Sequence, residues 1–205
     1  MGILLHFSLG FLASFLGTIP PSMLNMTAAK ISINKSKFEA FKFAIGVSII
    51  VLIQAYVAIL FTKFLRGNSE FLNILHIIAI VVFTMLSIYF YNVSKKSKDS
   101  TSLVKEKKGN SFIVGLLLST LNMFSIPFYC GVTTALDVAG WLQFSQQNII
   151  IFVVGSAFGT FSLLFLYANY AVIVLRKAKV ISKNLNLILS VLTGVLAIIT
   201  LLKIL

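Results

Sequence analysis

The chain has 205 residues, 59% of them hydrophobic and only 11% charged, and a formal net charge of +12; soluble domains carry about 25% charged residues. That excludes water as the main solvent, and the 17 basic residues sit in short segments between apolar runs, which excludes the continuous basic patch that nucleic acid requires. The single cysteine, Cys130, lies inside an apolar run, which excludes an internal disulfide and a thiolate metal cluster.

A helix rises about 1.5 Å per residue and a bilayer core is about 30 Å thick, so a span needs roughly 20 apolar residues. Six stretches qualify: Ile3 to Met26, Phe43 to Thr62, Phe71 to Tyr91, Ser111 to Leu136, Ile149 to Leu175 and Leu185 to Leu205. The first follows Met1-Gly2 without a basic leader or a small-x-small cleavage pattern, and reads as a retained membrane helix. The expectation is an all-α integral membrane protein forming a single membrane domain over 1–205.

Basic residues mark cytoplasmic loops. Lys30, Lys35, Lys37 and Lys42 follow span one; Lys95, Lys96, Lys98, Lys105, Lys107 and Lys108 follow span three; Arg176, Lys177, Lys179 and Lys183 follow span five. The other side has only Lys63, Arg66 and Lys203. This alternation predicts both termini outside, and a basic cytoplasmic loop, 95–109, joining pseudo-repeats 1–94 and 110–205.

Spans one and four carry prolines within otherwise suitable helices, in Gly17-Thr-Ile-Pro-Pro-Ser-Met-Leu-Asn25 and Leu121-Asn-Met-Phe-Ser-Ile-Pro-Phe-Tyr-Cys-Gly131. A proline inside a helix removes a hydrogen bond and crowds the preceding turn, at about 3 kcal/mol. In lipid such breaks are tolerated only where protein buries them or they line a wet cavity. Pro20 and Pro127 lie about two-thirds along their spans, and an odd number of spans per half inverts the second half. The fold expected is therefore two inverted three-helix repeats, with helices one and four broken at prolines and a substrate site between them.

Half-helix ends there would offer amides to a carboxylate and freed carbonyls to an ammonium. The candidate binding residues are Thr18, Pro20, Pro21, Ser22, Asn25, Gln54, Asn122, Ser125 and Pro127. Ser, Thr, Asn and Gln are also common interhelical glue in membrane bundles, and the sequence leaves both roles open. His6, His76 and Asp137 are the candidate coupling groups, with an interfacial role as the alternative. Gly155-Ser-Ala-Phe-Gly159 is a close-packing motif, within one chain or across a homodimer.

These residues carry a resemblance. The chain resembles the lysine exporter (LysE/RhtB) family in Gly17 to Pro20, in Ala40 to Gly46 after the short basic loop, and in Gly115 through Leu121-Asn122. Pro21-Ser22 stands where the family has Gly-Pro, and Met123-Phe124 where it has Pro-Lys. The second change removes a fixed charge, so the substrate of lysine, homoserine or threonine exporters does not carry over. The resemblance implies secondary active efflux of amino acids or related metabolites across a bacterial inner membrane. A proton gradient or the membrane potential would drive it, without a cofactor or bound metal.

An enzyme would need placed catalytic groups, and the sequence has no His-Glu-x-x-His, no Gly-x-Ser-x-Gly and no paired intramembrane carboxylates. Metal-cation export would need convergent carboxylates, imidazoles or thiolates, whereas the spans hold two histidines and one cysteine. A non-transporting structural or assembly protein is the remaining alternative, and the paired proline breaks argue against it.

Overall fold

The computed structural model describes residues 2–67, 109–122, 124–176 and scattered positions within 80–92 and 190–201. Every regular element among them is a helix. In chain order these are α1 (Gly2–Thr18), α2 (Met23–Asn34), α3 (Lys37–Arg66), α4 (Ser111–Thr120), α5 (Ser125–Val138) and α6 (Gln146–Asn169). The third and sixth predicted spans, His76 and the 95–108 part of the basic loop fall wholly or largely outside the described residues.

Among the described residues two helices can cross a bilayer unaided: α3 with 30 residues and α6 with 24, about 45 Å and 36 Å at 1.5 Å per residue. α1 bends into α2 by 78° and α4 into α5 by 64°, and each bent pair together is long and apolar enough for one more span. Two expected features are corrected. Lys30 belongs to α2, which runs to Asn34, so the first connection shrinks to Lys35 and Ser36. The second break falls at Leu121–Phe124, before Pro127, which is the third residue of α5. A proline fits there because the first-turn N–H it lacks has no intrahelical acceptor.

The chain folds as two compact units, Met1–Phe64 with Lys108–Arg176, and Leu65–Lys107 with Lys177–Leu205. In the first unit the buried face of α3 carries Ala40, Phe43, Ala44, Val47, Val51, Ala55, Ala58 and Ile59, a stripe at helical spacing. It packs with Phe152, Ile149 and Leu164 of α6 and Tyr129 of α5 into one apolar core. Isoleucine and valine also fill the opposite side of α3, as Ile49, Ile53 and Val57, so no face of the helix is polar enough for water.

Glycines set the closest approaches. A Cβ on Gly155 would collide with the Phe7 carbonyl oxygen, and one on Gly159 with that of Phe11. The Gly155–Gly159 motif therefore joins α6 to α1 within the chain. A Cβ on Gly10 would in turn meet the Phe152 carbonyl oxygen. The second crossing repeats the first: a Cβ on Gly46 would strike the Phe112 oxygen, and one on Gly115 the Phe43 oxygen.

These approaches bring out a repeat in the sequence. Phe7-x-x-Gly10-x-x-x-Ser14 in α1 matches Phe112-x-x-Gly115-x-x-x-Ser119 in α4, and Phe43-x-x-Gly46 in α3 matches Phe152-x-x-Gly155 in α6. Phe7 meets Gly155 and Phe11 meets Gly159, so α1 runs parallel to α6; Phe43 meets Gly115 and Gln54 meets Ser119, so α3 runs parallel to α4. Parallel pairing suits spans separated by an even number of membrane crossings.

In the second unit the described positions within 80–92 and 190–201 are helical. Ser87 Oγ donates to the Ser190 carbonyl and Ser190 Oγ to the Ser87 carbonyl, each at 2.9 Å. At the end of the first unit that carries the basic residues, Lys35 Nζ donates to the Gly109 carbonyl at 3.0 Å. Lys42 Nζ donates to Glu39 Oε1 at 2.7 Å, which holds the Glu39 carboxyl below the usual carboxylate range.

Gly46→Val and Gly155→Val will therefore lose thermal stability and membrane abundance, by about 1–3 kcal/mol or more as expected for overpacking against backbone. Gly131 has open space where its Cβ would lie, and Gly131→Ala will leave melting temperature unchanged or raised. Thermal melts of the detergent-purified variants read both.

Candidate functional site

Nine residues were expected to line a site at the two breaks, and the structure sorts them into two groups. At the first break α1 ends at Thr18, leaving carbonyls without helical partners. Asn25, buried at 1% exposure, sends Nδ2 to the Thr18 carbonyl at 2.5 Å and the Pro20 carbonyl at 3.0 Å. Tyr167 of α6 donates its hydroxyl to the Ile19 carbonyl at 2.6 Å. Ser22 caps α2, its Oγ accepting from Asn25 N at 3.4 Å, and Thr18 Oγ1 bonds back to the Ser14 carbonyl at 2.7 Å. The carbonyls of Thr18, Ile19 and Pro20, expected to meet an ammonium, are thus held by the protein itself.

The second break is built differently. Gln54, near the middle of α3, donates Nε2 to the Ser119 carbonyl at 2.9 Å, close to the end of α4, and Ser119 Oγ reaches back to the Val47 carbonyl. Asn122 Nδ2 donates to Ser125 Oγ at 2.8 Å. No side chain caps the start of α5. Gln54 Oε1 is buried and has no hydrogen-bond partner, a condition that costs about 1–3 kcal/mol in a protein interior. Ser111 Oγ, at the first position of α4, is buried as well but lies beside Glu39, whose carboxylate it helps to stabilise.

The end of α1 meets the start of α5. A Cβ on Gly17 would collide with the Phe128 ring, one residue after Pro127. Tyr129 donates its hydroxyl to Ser14 Oγ at 2.9 Å, and Ser14 Oγ lies 2.5 Å from Thr160 Oγ1 of α6. All three side chains are buried. A second hydroxyl pair, Thr62 and Thr133 at 2.8 Å, ties α3 to α5.

These hydroxyls and Tyr167 escaped the reading of the sequence. Tyr129 and Thr133 fall on one face of α5, and Ser156 and Thr160 on one face of α6, a four-residue spacing that signals a shared partner surface. No local feature reveals which partner. Cys130 sits half-buried on the same helix, its Sγ 3.5 Å from the Ala58 carbonyl.

The coupling candidates lie elsewhere. His6 is buried, with Nδ1 2.6 Å from the Gly2 carbonyl and Nε2 receiving the Gln143 N–H at 3.1 Å. Both ring nitrogens are therefore engaged by backbone groups. Asp137 lies at the end of α5, its carbonyl accepting Gly140 N–H at 2.9 Å. A groove of about 780 Å³ opens near this end, between Gly2, Phe7, Gln143, Asn148 and Val154, and contains none of the nine residues.

The profile of the LysE type translocator family matches residues 15–203. The chain belongs to that family. The matched region begins four residues before the first break and takes in every element from the end of α1 onward. No curated protein and no solved structure matches the chain. Membership of this family of transporters makes the chain a multi-pass membrane protein that transports amino acids or related compounds. Its partners are a small-molecule substrate and the lipid bilayer.

Asn25→Leu will strand two carbonyls at once, lowering melting temperature and membrane abundance by the cost of two unsatisfied acceptors, about 2–6 kcal/mol. Ser22→Ala removes only a helix cap and will cost about 1 kcal/mol. Thermal unfolding of both variants in the same detergent tests that order.

Proposed function

We propose that the protein is a secondary active exporter of amino acids or closely related small metabolites across the bacterial inner membrane, with its cargo handled between two broken helices. The observation that carries this reading is the junction itself, where the end of α1 at Gly17 packs under Phe128 at the start of α5. Broken backbone at membrane depth has few uses other than contact with a polar passenger.

The inverted-repeat reading draws support from the matched crossings. Two of the α1–α6 approaches, Gly10 to Phe152 and Gly155 to Phe7, recur in the α4–α3 pair as Gly115 to Phe43 and Gly46 to Phe112. Ser87 and Ser190 exchange identical hydrogen bonds, as groups astride a pseudo-two-fold axis would. Under this reading the first half comprises α1–α3 with the third predicted span, and the second half α4–α6 with the sixth. Both termini face the periplasm, an orientation supported by the concentration of Lys and Arg in alternate connections of the sequence.

The energy source is a proton gradient or the membrane potential. His6 is a weak choice for a proton carrier in the conformation described, since both of its nitrogens are engaged. A non-transporting structural role would leave the two broken helices without a purpose.

Cells expressing the protein and preloaded with a radiolabelled amino acid panel will release at least one member faster than cells without it. Asn122→Leu will slow that release while membrane abundance holds, and equal efflux would remove Asn122 from the site. A reporter enzyme active only in the periplasm, fused after Leu205, will be active; a silent, stable fusion would reverse the orientation.

A further inference from the structure

We infer that the cargo's ammonium group docks at the second break alone, with Gln54 Oε1 as its acceptor; this rests on the exporter reading above. The two breaks occupy matching places in the repeat yet differ in what they leave open. At the first, Asn25 and Tyr167 occupy the carbonyls of Thr18, Ile19 and Pro20, and Ser22 caps the helix that follows. A passenger would have to displace these bonds to find an acceptor there.

At the second break the protein presents a buried acceptor and provides nothing to fill it. Gln54 is 7% exposed, its Nε2 fixed on the Ser119 carbonyl, which anchors the carboxamide and directs Oε1 away from that bond. An orphan acceptor in a membrane interior calls for a donor from outside the chain. The terminal carbonyls of α4 place the negative end of a half-helix beside it, so a cation is favoured over a neutral donor. A primary ammonium suits this: its three N–H groups can divide between Oε1 and carbonyls of the α4 terminus. The cargo's carboxylate would then lie toward the start of α5, where no side chain competes as a cap.

The repeat supplies its own control. The residue matching Gln54 in α6, counted from Gly46 and Gly155, is Leu163, which is buried. A leucine is therefore accommodated at this place in the scaffold. The Ser119 carbonyl also keeps a donor when Gln54 is lost, because Asn122 N–H reaches it at 3.0 Å.

The test uses the full chain in detergent and in proteoliposomes, as wild type, Gln54→Leu and Gln54→Met. Probes are the proteinogenic L-amino acids and, for each that shifts the wild-type melting temperature, its α-hydroxy acid counterpart. Wild type will prefer the amino acid. Both variants will hold or raise their ligand-free melting temperature and will lose about tenfold or more of that preference, as expected for a hydrogen bond to a charged group. Variants that keep the preference, whether or not their stability falls, would assign Gln54 to helix packing or a trapped water and overturn the inference. A wild type that neither binds nor transports any of the amino acids would overturn the exporter reading itself, and this inference with it.

Discussion

Lipid offers no hydrogen bonds, so each peptide group that leaves a helix within the membrane must find a partner in the protein. The architecture around both breaks follows from that demand. Between Thr18 and Met23 the chain turns through 78°, and the carbonyls released by the turn are recovered by one buried carboxamide and one phenol. Asn25 suits the task because its amide carries two donors on a short stem, enough to span the Thr18 and Pro20 oxygens together. Tyr167 reaches in from α6, which also anchors that helix to the break. The proline pair cannot form the missing bonds, and the surrounding side chains form them instead.

The same economy explains the glycines. Without an aqueous phase to drive apolar faces together, helices in a membrane associate through close packing and short polar contacts. At Gly10, Gly46, Gly115 and Gly155 the opposing backbone oxygen comes so near that any Cβ would collide with it. That closeness favours weak C–H···O bonds from the glycine backbone to the facing carbonyl and fixes the axial register of each pair. Once α1 is in register with α6, Ser14 falls opposite Thr160. Once α3 is in register with α4, Gln54 falls opposite Ser119. The polar contacts are consequences of the crossings.

Much of this was legible in the sequence, and the remainder was hidden for identifiable reasons. Apolar length announced α3 and α6, and the Pro20–Pro21 step lies within the gap between Thr18 and Met23. Pro127 misplaced the second by a few residues, because a proline in the opening turn of a helix is well accommodated and marks where the helix begins. Lys30 read as loop because charge dominates a hydropathy scan, although a helix end near the membrane surface holds it readily. The polar candidates were identified as residues but not by role. Asn25 and Gln54 have the same carboxamide, and only their partners distinguish a stitch from an open acceptor. The Tyr129–Ser14–Thr160 cluster was out of reach, since Tyr129 and Ser14 are 115 positions apart and no local period links them. The Gly155–Gly159 motif showed close packing but not whose backbone it would meet.

The contrast between the two breaks bears on how a transporter of amino acids or related compounds manages with almost no charged side chains in its spans. A scaffold that satisfied every polar group would be more stable and would have nowhere to receive cargo. One that left both breaks open would forfeit several unsatisfied groups at about 1–3 kcal/mol each, a serious loss against a total stability of about 5–15 kcal/mol. The chain takes a middle course: the matched glycine crossings are apolar, the first break is closed by its own side chains, and among the described residues the buried Gln54 acceptor remains at the second. An orphan of that kind is tolerable when it is filled during the working cycle, because the donor it lacks then arrives with the passenger. Under the exporter reading, the asymmetry of Asn25 against Gln54, set on a scaffold whose glycine crossings match, is a division of labour between the broken helices.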